Sequence, residues 1–171
     1  MKMHTRQKGF LLIELIIYMG LLMILLAIMS DVFVATLNVK LESDTTSAVQ
    51  QDGSYIMSRI AYDVRRSTGI ITPALGQSGT TLSLDIVENG VHKTYQYVWA
   101  NNALTLSDGL STDSLHGNNS RVTQFSVTHV GNSATIATAK DTISTALVVS
   151  SVGQTSSGVH TLTFQSTIGE R

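Results

Sequence analysis

From Phe10 to Met29 the chain runs for twenty residues with Glu14 as its one charge. A helix needs about 20 apolar residues to cross a bilayer, so the pattern predicts a membrane helix over 10–30. The pattern then changes. From Ser30 to about Ser67 there is no proline, and apolar residues return at Phe33, Leu37, Leu41, Ala48, Val49, Ile56, Ile60 and Val64. Their spacing is helical, with acids, Ser and Thr on the remaining faces, which predicts an amphipathic second half over 31–67. One continuous helix from Phe10 to Ser67 is about 87 Å long at 1.5 Å per residue. Gly20 and Gly53 are its expected soft points, and the Thr45-Thr46-Ser47 cluster weakens strict continuity.

Beyond Pro73, the only proline, the period falls from about 3.6 to two. Thr81–Ile86 alternates as a half-buried strand does. Asn89-Gly90 is a hairpin signal, because both turn positions must tolerate positive φ. Thr94–Trp99 is the return strand, and Ala100-Asn101-Asn102 turns the chain into Leu104–Leu106. Residues 107–120 read as a polar loop. Strands follow over Arg121–Val130, Ile143–Val152 and Val159–Thr167, with polar connections at 131–142 and 153–158. The fold class expected is α+β: a long N-terminal helix packed on an antiparallel β-sheet head over 68–171.

Charge alters this picture at the N-terminus. Residues 1–9 hold Lys2, Arg6 and Lys8 and no acid, and Asp31 follows the span. The positive-inside rule then sets the N-terminus in the cytoplasm and the head on the other side. The leader reads as a targeting segment outside the fold. Without its three cations the chain keeps eight Lys and Arg against twelve Asp and Glu, a net charge of −4. That leaves no basic surface for direct nucleic-acid binding. The absence of cysteine excludes a disulfide framework, a thiolate metal site and a cysteine nucleophile.

Gly9-Phe10 followed by Glu14, after a short basic leader and before an unbroken apolar run, resembles the class III signal of type IV prepilins. The resemblance covers the first thirty residues. It implies cleavage after Gly9 by a membrane prepilin peptidase, N-methylation of the new first residue Phe10, and an assembly role for Glu14 opposite a neighbouring subunit's N-terminus. It also implies a pilin-like layout and, as partners, other pilin or pseudopilin subunits, the peptidase, an inner-membrane assembly platform and membrane lipid. The chain departs from many major pilins, which close a C-terminal loop with a disulfide. Tyr62-Asp63-Val64-Arg65-Arg66 is similar to a segment of W-type minor pilins and of J-type pseudopilins of type II secretion. Asp63 is spaced to pair with Arg59 or Arg66, and the segment is expected to be a solvated, salt-bridged face.

The physics of Glu14 agrees with this resemblance. A carboxylate at the centre of a membrane helix costs roughly 2.5–3.5 kcal/mol. An α-amine created at Phe10 lies on the same helix face, four residues away. The competing reading is a signal anchor whose Glu14 snorkels to the interface. Other chemistry is sparse. His4, His92, His116, His129 and His160 show no metal-ligand spacing, and the two strand histidines, His129 and His160, are expected to be structural. Asp108–Asp113 lacks the ligand spacing and terminal Glu of a calcium loop. No nucleophile elbow, phosphate loop or dinucleotide fingerprint is present. A structural subunit without cofactor, metal or catalytic residue is therefore expected. The alternative is an anchored enzyme or ligand-binding head.

Overall fold

A computed structural model describes residues 12–131, 141–153 and 158–170. It shows one long helix, α1 (Leu12–Arg66), followed by antiparallel sheet. The architecture is α+β, as expected. Helical hydrogen bonding continues through Gly20, Thr45-Thr46-Ser47 and Gly53. Thr45 Oγ1 donates to Glu42 O at 3.0 Å, so its hydroxyl is satisfied by the helix's own backbone.

The chain divides into two compact units, one up to Leu41 and one from Glu42 onward. In the first unit the described residues are helix, and its large apolar side chains are exposed on every face. Among its described residues the second unit holds the rest of α1 and nine strands. β1 (Gly69–Thr72), β3 (Thr81–Glu88), β4 (Val91–Ala100), β5 (Ala103–Ser107) and β6 (Thr112–Ser114) form one sheet in the order β1-β3-β4-β5-β6. β2 (Ser78–Gly79), β7 (Ser120–Val130), β8 (Thr142–Ser151) and β9 (Thr161–Gly169) form the other, in the order β2-β7-β8-β9. The head is thus built of two sheets, and β6 lies within the expected 107–120 loop.

Two hairpins follow directly from their turn residues. Asn89 and Gly90 have φ of 53° and 79°, and Glu88 pairs with Val91 across them. Asn101 and Asn102 have φ of 51° and 59°, with Ala100 opposite Ala103. Asparagine and glycine tolerate this left-handed region at least cost. The Thr72–Pro73 peptide bond is cis.

The helix enters the core through a stripe at Val49, Gly53, Ile56, Ile60 and Asp63, with Ser67 continuing it just beyond Arg66. The steps of four and three residues keep one face turned to the sheets. Leu82, Leu84, Tyr97 and Leu104 meet it from the first sheet, and Phe125, Val127, Leu147 and Val149 from the second. Gly53 is a point of close packing and not a soft point. A Cβ there runs into the ring of Phe164 in β9. The two sheets join at Val122. Its N–H donates to Asn102 O at 3.0 Å, and its C=O accepts from Trp99 Nε1 at 2.8 Å. A bulge between Val122 and Gln124 interrupts the ladder beside this junction.

Candidate functional site

Gly9 and Phe10, the residues of the expected cleavage and methylation, lie outside the described residues. Glu14 lies in the first described turn of α1 and is partly exposed. The Tyr18 hydroxyl, four residues on, donates to Glu14 Oε1 at 3.4 Å. An ionised carboxylate has about four acceptor sites, so this long bond leaves Glu14 able to accept from a cationic amine.

The surroundings of Glu14 are apolar all round. Leu12 is 76% exposed, Ile13 65%, Leu22 52% and Leu25 50%. These residues point in different directions around the helix, and none is covered. This half of α1 is long and apolar enough to cross a membrane. Its hydroxyls fit that use. Ser30 Oγ donates to Leu26 O at 2.9 Å and Thr36 Oγ1 to Val32 O at 2.8 Å. Both hydroxyls are satisfied inside the helix, as a hydrocarbon environment requires.

A second cluster lies in the head, at the C-terminal end of α1. Asp63 is fully buried, which corrects the expectation of a solvated face. Its position on the 49-53-56-60-63 stripe is the cause: residue 63 must face the sheets whatever its side chain. Arg59 Nε reaches Asp63 Oδ2 at 3.0 Å, and Arg66 Nη2 reaches Oδ1 at 2.8 Å. Both arginines allowed by spacing are therefore used. The Tyr97 hydroxyl in β4 donates to Asp63 Oδ2. Burial first, and this bond second, push the Tyr97 phenol far above its ordinary pKa.

The network continues outward. Arg66 Nη1 binds Glu88 Oε1 at 2.8 Å, and its guanidinium lies 4.9 Å from the Tyr62 ring centre and 4.8 Å from that of Tyr95. Lys93 Nζ and the Tyr95 hydroxyl also donate to Glu88, at 2.9 and 2.8 Å. These bonds, that of Lys93 foremost, hold the Glu88 carboxyl down at about 2. The cluster has paired charges, filled acceptors and stacked rings. It clamps α1 to β3 and β4.

Other polar residues hold loops. Asp52 Oδ2 accepts from Gly117 N–H at 2.9 Å and from the Ser120 hydroxyl, tying α1 to the start of β7. Asp108 Oδ1 accepts from the N–H of Leu110 and of Ser111, at 2.9 and 2.7 Å, so its carboxylate is spent on its own turn. His129 is buried, with Nδ1 2.9 Å from Pro73 O and Nε2 3.1 Å from Asp141 Oδ2. It lies opposite Ile143, whereas His160 binds Ser151 at the other end of the sheet. The two histidines do not meet. Among the described residues no group of three or more His, Asp or Glu is placed to hold a metal ion.

Sequence reasoning singled out Glu14 and Asp63, and it missed Tyr97, Glu88 and Tyr95 as partners of the helix acid and arginines. The one signal available for Asp63 was its place on the apolar stripe. No family model, no curated protein and no solved structure matches the chain.

Proposed function

We propose that this chain is a minor type IV pilin: a structural subunit cleaved after Gly9, N-methylated at Phe10, and used to prime or cap a pilus. The observation that carries the reading is Glu14, the single charge in a twenty-residue apolar run, four residues after the Phe10 of a Gly9-Phe10 pair. The subunit waits in the membrane with its N-terminus cytoplasmic and its head outside. On assembly the apolar helices leave lipid and pack on one another. A neighbouring subunit's α-amine, with an ordinary pKa of about 8, meets Glu14 in that apolar setting. Each charge offsets part of the other's desolvation cost, which neither meets alone. The α+β fold, with one apolar helix and an antiparallel head, is compatible with this use.

The intact mass of the protein from its native membranes tests the reading. The expected mass lacks residues 1–9 and carries about one added methyl group. An uncut chain, recovered where prepilin peptidase is present and active, overturns it. The Asp63-Val64-Arg65 segment is shared by W-type minor pilins and J-type pseudopilins, so the second reading is a minor pseudopilin of type II secretion or of a DNA-uptake machine. Flanking secretion genes, in place of pilus genes, select that alternative.

A further inference from the structure

The two sheets end in four edges of unequal length. β1 has four residues, β6 three and β2 two, whereas β9 has nine. Shortness, charge, proline and bulges are the usual means of keeping an edge from pairing with another chain. β9 uses none of them. Thr161–Gly169 contains no charged residue and no proline, and its ladder with β8 runs without a bulge.

The ladder fixes which backbone groups of β9 are free. Ser151 N–H donates to His160 C=O at 2.8 Å, and Glu170 N–H donates to Asp141 C=O at 3.0 Å. These bonds flank the register in which Ser150 faces Thr161 and Thr142 faces Gly169. Hydrogen-bonded pairs alternate along an antiparallel ladder. Even-numbered residues of β9 therefore turn their N–H and C=O to β8. Thr161, Thr163, Gln165, Thr167 and Gly169 turn theirs outward, where no partner meets them among the described residues. The side chains add a second observation. Leu162 and Phe164 are only partly buried, although Val149 and Leu147 opposite them are fully buried.

We infer that β9 pairs with β9 of a second copy of this chain, antiparallel, about a two-fold axis through Gln165. Such pairing must set outward-facing residues against one another. An axis at Gln165 places Thr161 against Gly169, Thr163 against Thr167, and Gln165 against its own mate, so every outward group is used. An axis at Phe164 or Ser166 strands one such residue on each copy. The same register puts Leu162 beside Ile168 on the core side. A two-fold axis brings a strand's own charges together, and this strand has none. No charge within β9 selects a foreign strand, whereas its own outward groups satisfy one another in full. The pairing is independent of the pilin reading.

The cysteine-free chain makes the register readable by disulfide formation. Cα atoms of a hydrogen-bonded pair lie about 5.5 Å apart, inside the disulfide range of about 4.4–6.8 Å. Full-length Gln165→Cys in its native membranes, oxidised with copper–phenanthroline, is expected to run as a linked dimer on a non-reducing gel. Thr161→Cys is the control, since its two copies lie about 27 Å apart at 3.4 Å per residue; its yield is expected to be at least tenfold lower. Thr163→Cys with Thr167→Cys also links across the axis, and adding Gln165→Lys to that pair sets like charges together and lowers the yield at least fivefold. Absence of a Gln165→Cys dimer, equal linking at 161 and 165, or an unchanged yield with Gln165→Lys overturns the pairing.

Discussion

Residues 12–41 and 42–66 belong to one α-helix, yet their apolar residues have opposite fates. In the first half they lie all round the helix and every large one is exposed. In the second, Val49, Ile56, Ile60 and Val64 form one stripe and are fully buried, while Tyr55 and Tyr62 stay exposed. Helical periodicity is the same in both; what differs is where the complementary surface comes from. The second half finds it within the chain, in two sheets. The first half finds none among the described residues, and it is long and apolar enough to cross a membrane. The charges follow the same division. Asp63 is neutralised by Arg59 and Arg66 of its own helix, whereas Glu14 meets the Tyr18 hydroxyl and, among the described residues, no cation.

Removing each acid puts this division to its hardest test. On the proposed pilin function, Glu14→Ala is expected to insert and to be cleaved normally, but to enter filaments at least tenfold less than wild type, measured as the share of subunit in sheared filaments. Wild-type incorporation contradicts the division, because Glu14 then needs no external partner. Asp63→Ala leaves two arginines and a buried phenol facing an empty site. Breaking a buried pair costs about 3–5 kcal/mol, and the partly exposed arginines place the expected loss near the lower end. Thermal unfolding of the head reports it, with membrane insertion unchanged.

Glycine substitutions probe the same contrast at smaller magnitude. Gly53→Ala forces a Cβ into the Phe164 ring. Overpacking costs about 1–3 kcal/mol, which outweighs the gain in helix propensity of about 1 kcal/mol. A Cβ added at Gly20 meets no atom within 4 Å, so Gly20→Ala leaves head unfolding unchanged. Equal destabilisation by the two substitutions removes the distinction between the halves. The smallest effect is a pH slope. Glu88 is held at about 2 against an ordinary 4.5, so its bonds stabilise the head fully above about pH 5. That contribution fades as the pH falls through 4.5 towards 2. Urea titrations at pH 6 and pH 3 measure it, and Glu88→Gln is expected to flatten the difference.

Much of the fold was legible because short-range rules carried it. The apolar run, the 49-56-60-64 spacing, the Asn89-Gly90 turn and the period-two strands each depend on neighbours a few residues apart. The division into two sheets was not legible. It depends on Trp99 and Asn102 reaching Val122, twenty or more positions along the chain. Gly53 was misread for a related reason. In sequence a helix glycine signals weakness, and only the arrival of Phe164 turns it into a contact. Asp63 carried a partial signal, since its stripe position was visible while its charge pointed to solvent.

The amino-acid sequence alone settled the helix and its apolar and amphipathic halves, the β character of the head, its hairpin turns, and the isolation of Glu14 in an apolar run. These are consequences of periodicity, turn chemistry and local charge, and all are set within a few residues. Only the folded arrangement could bury Asp63 against Tyr97, close the clamp of Glu88 on Arg66, and set β9 at the end of its sheet. Each of these depends on which distant strand arrives beside which, and that is fixed by the packing of the whole core.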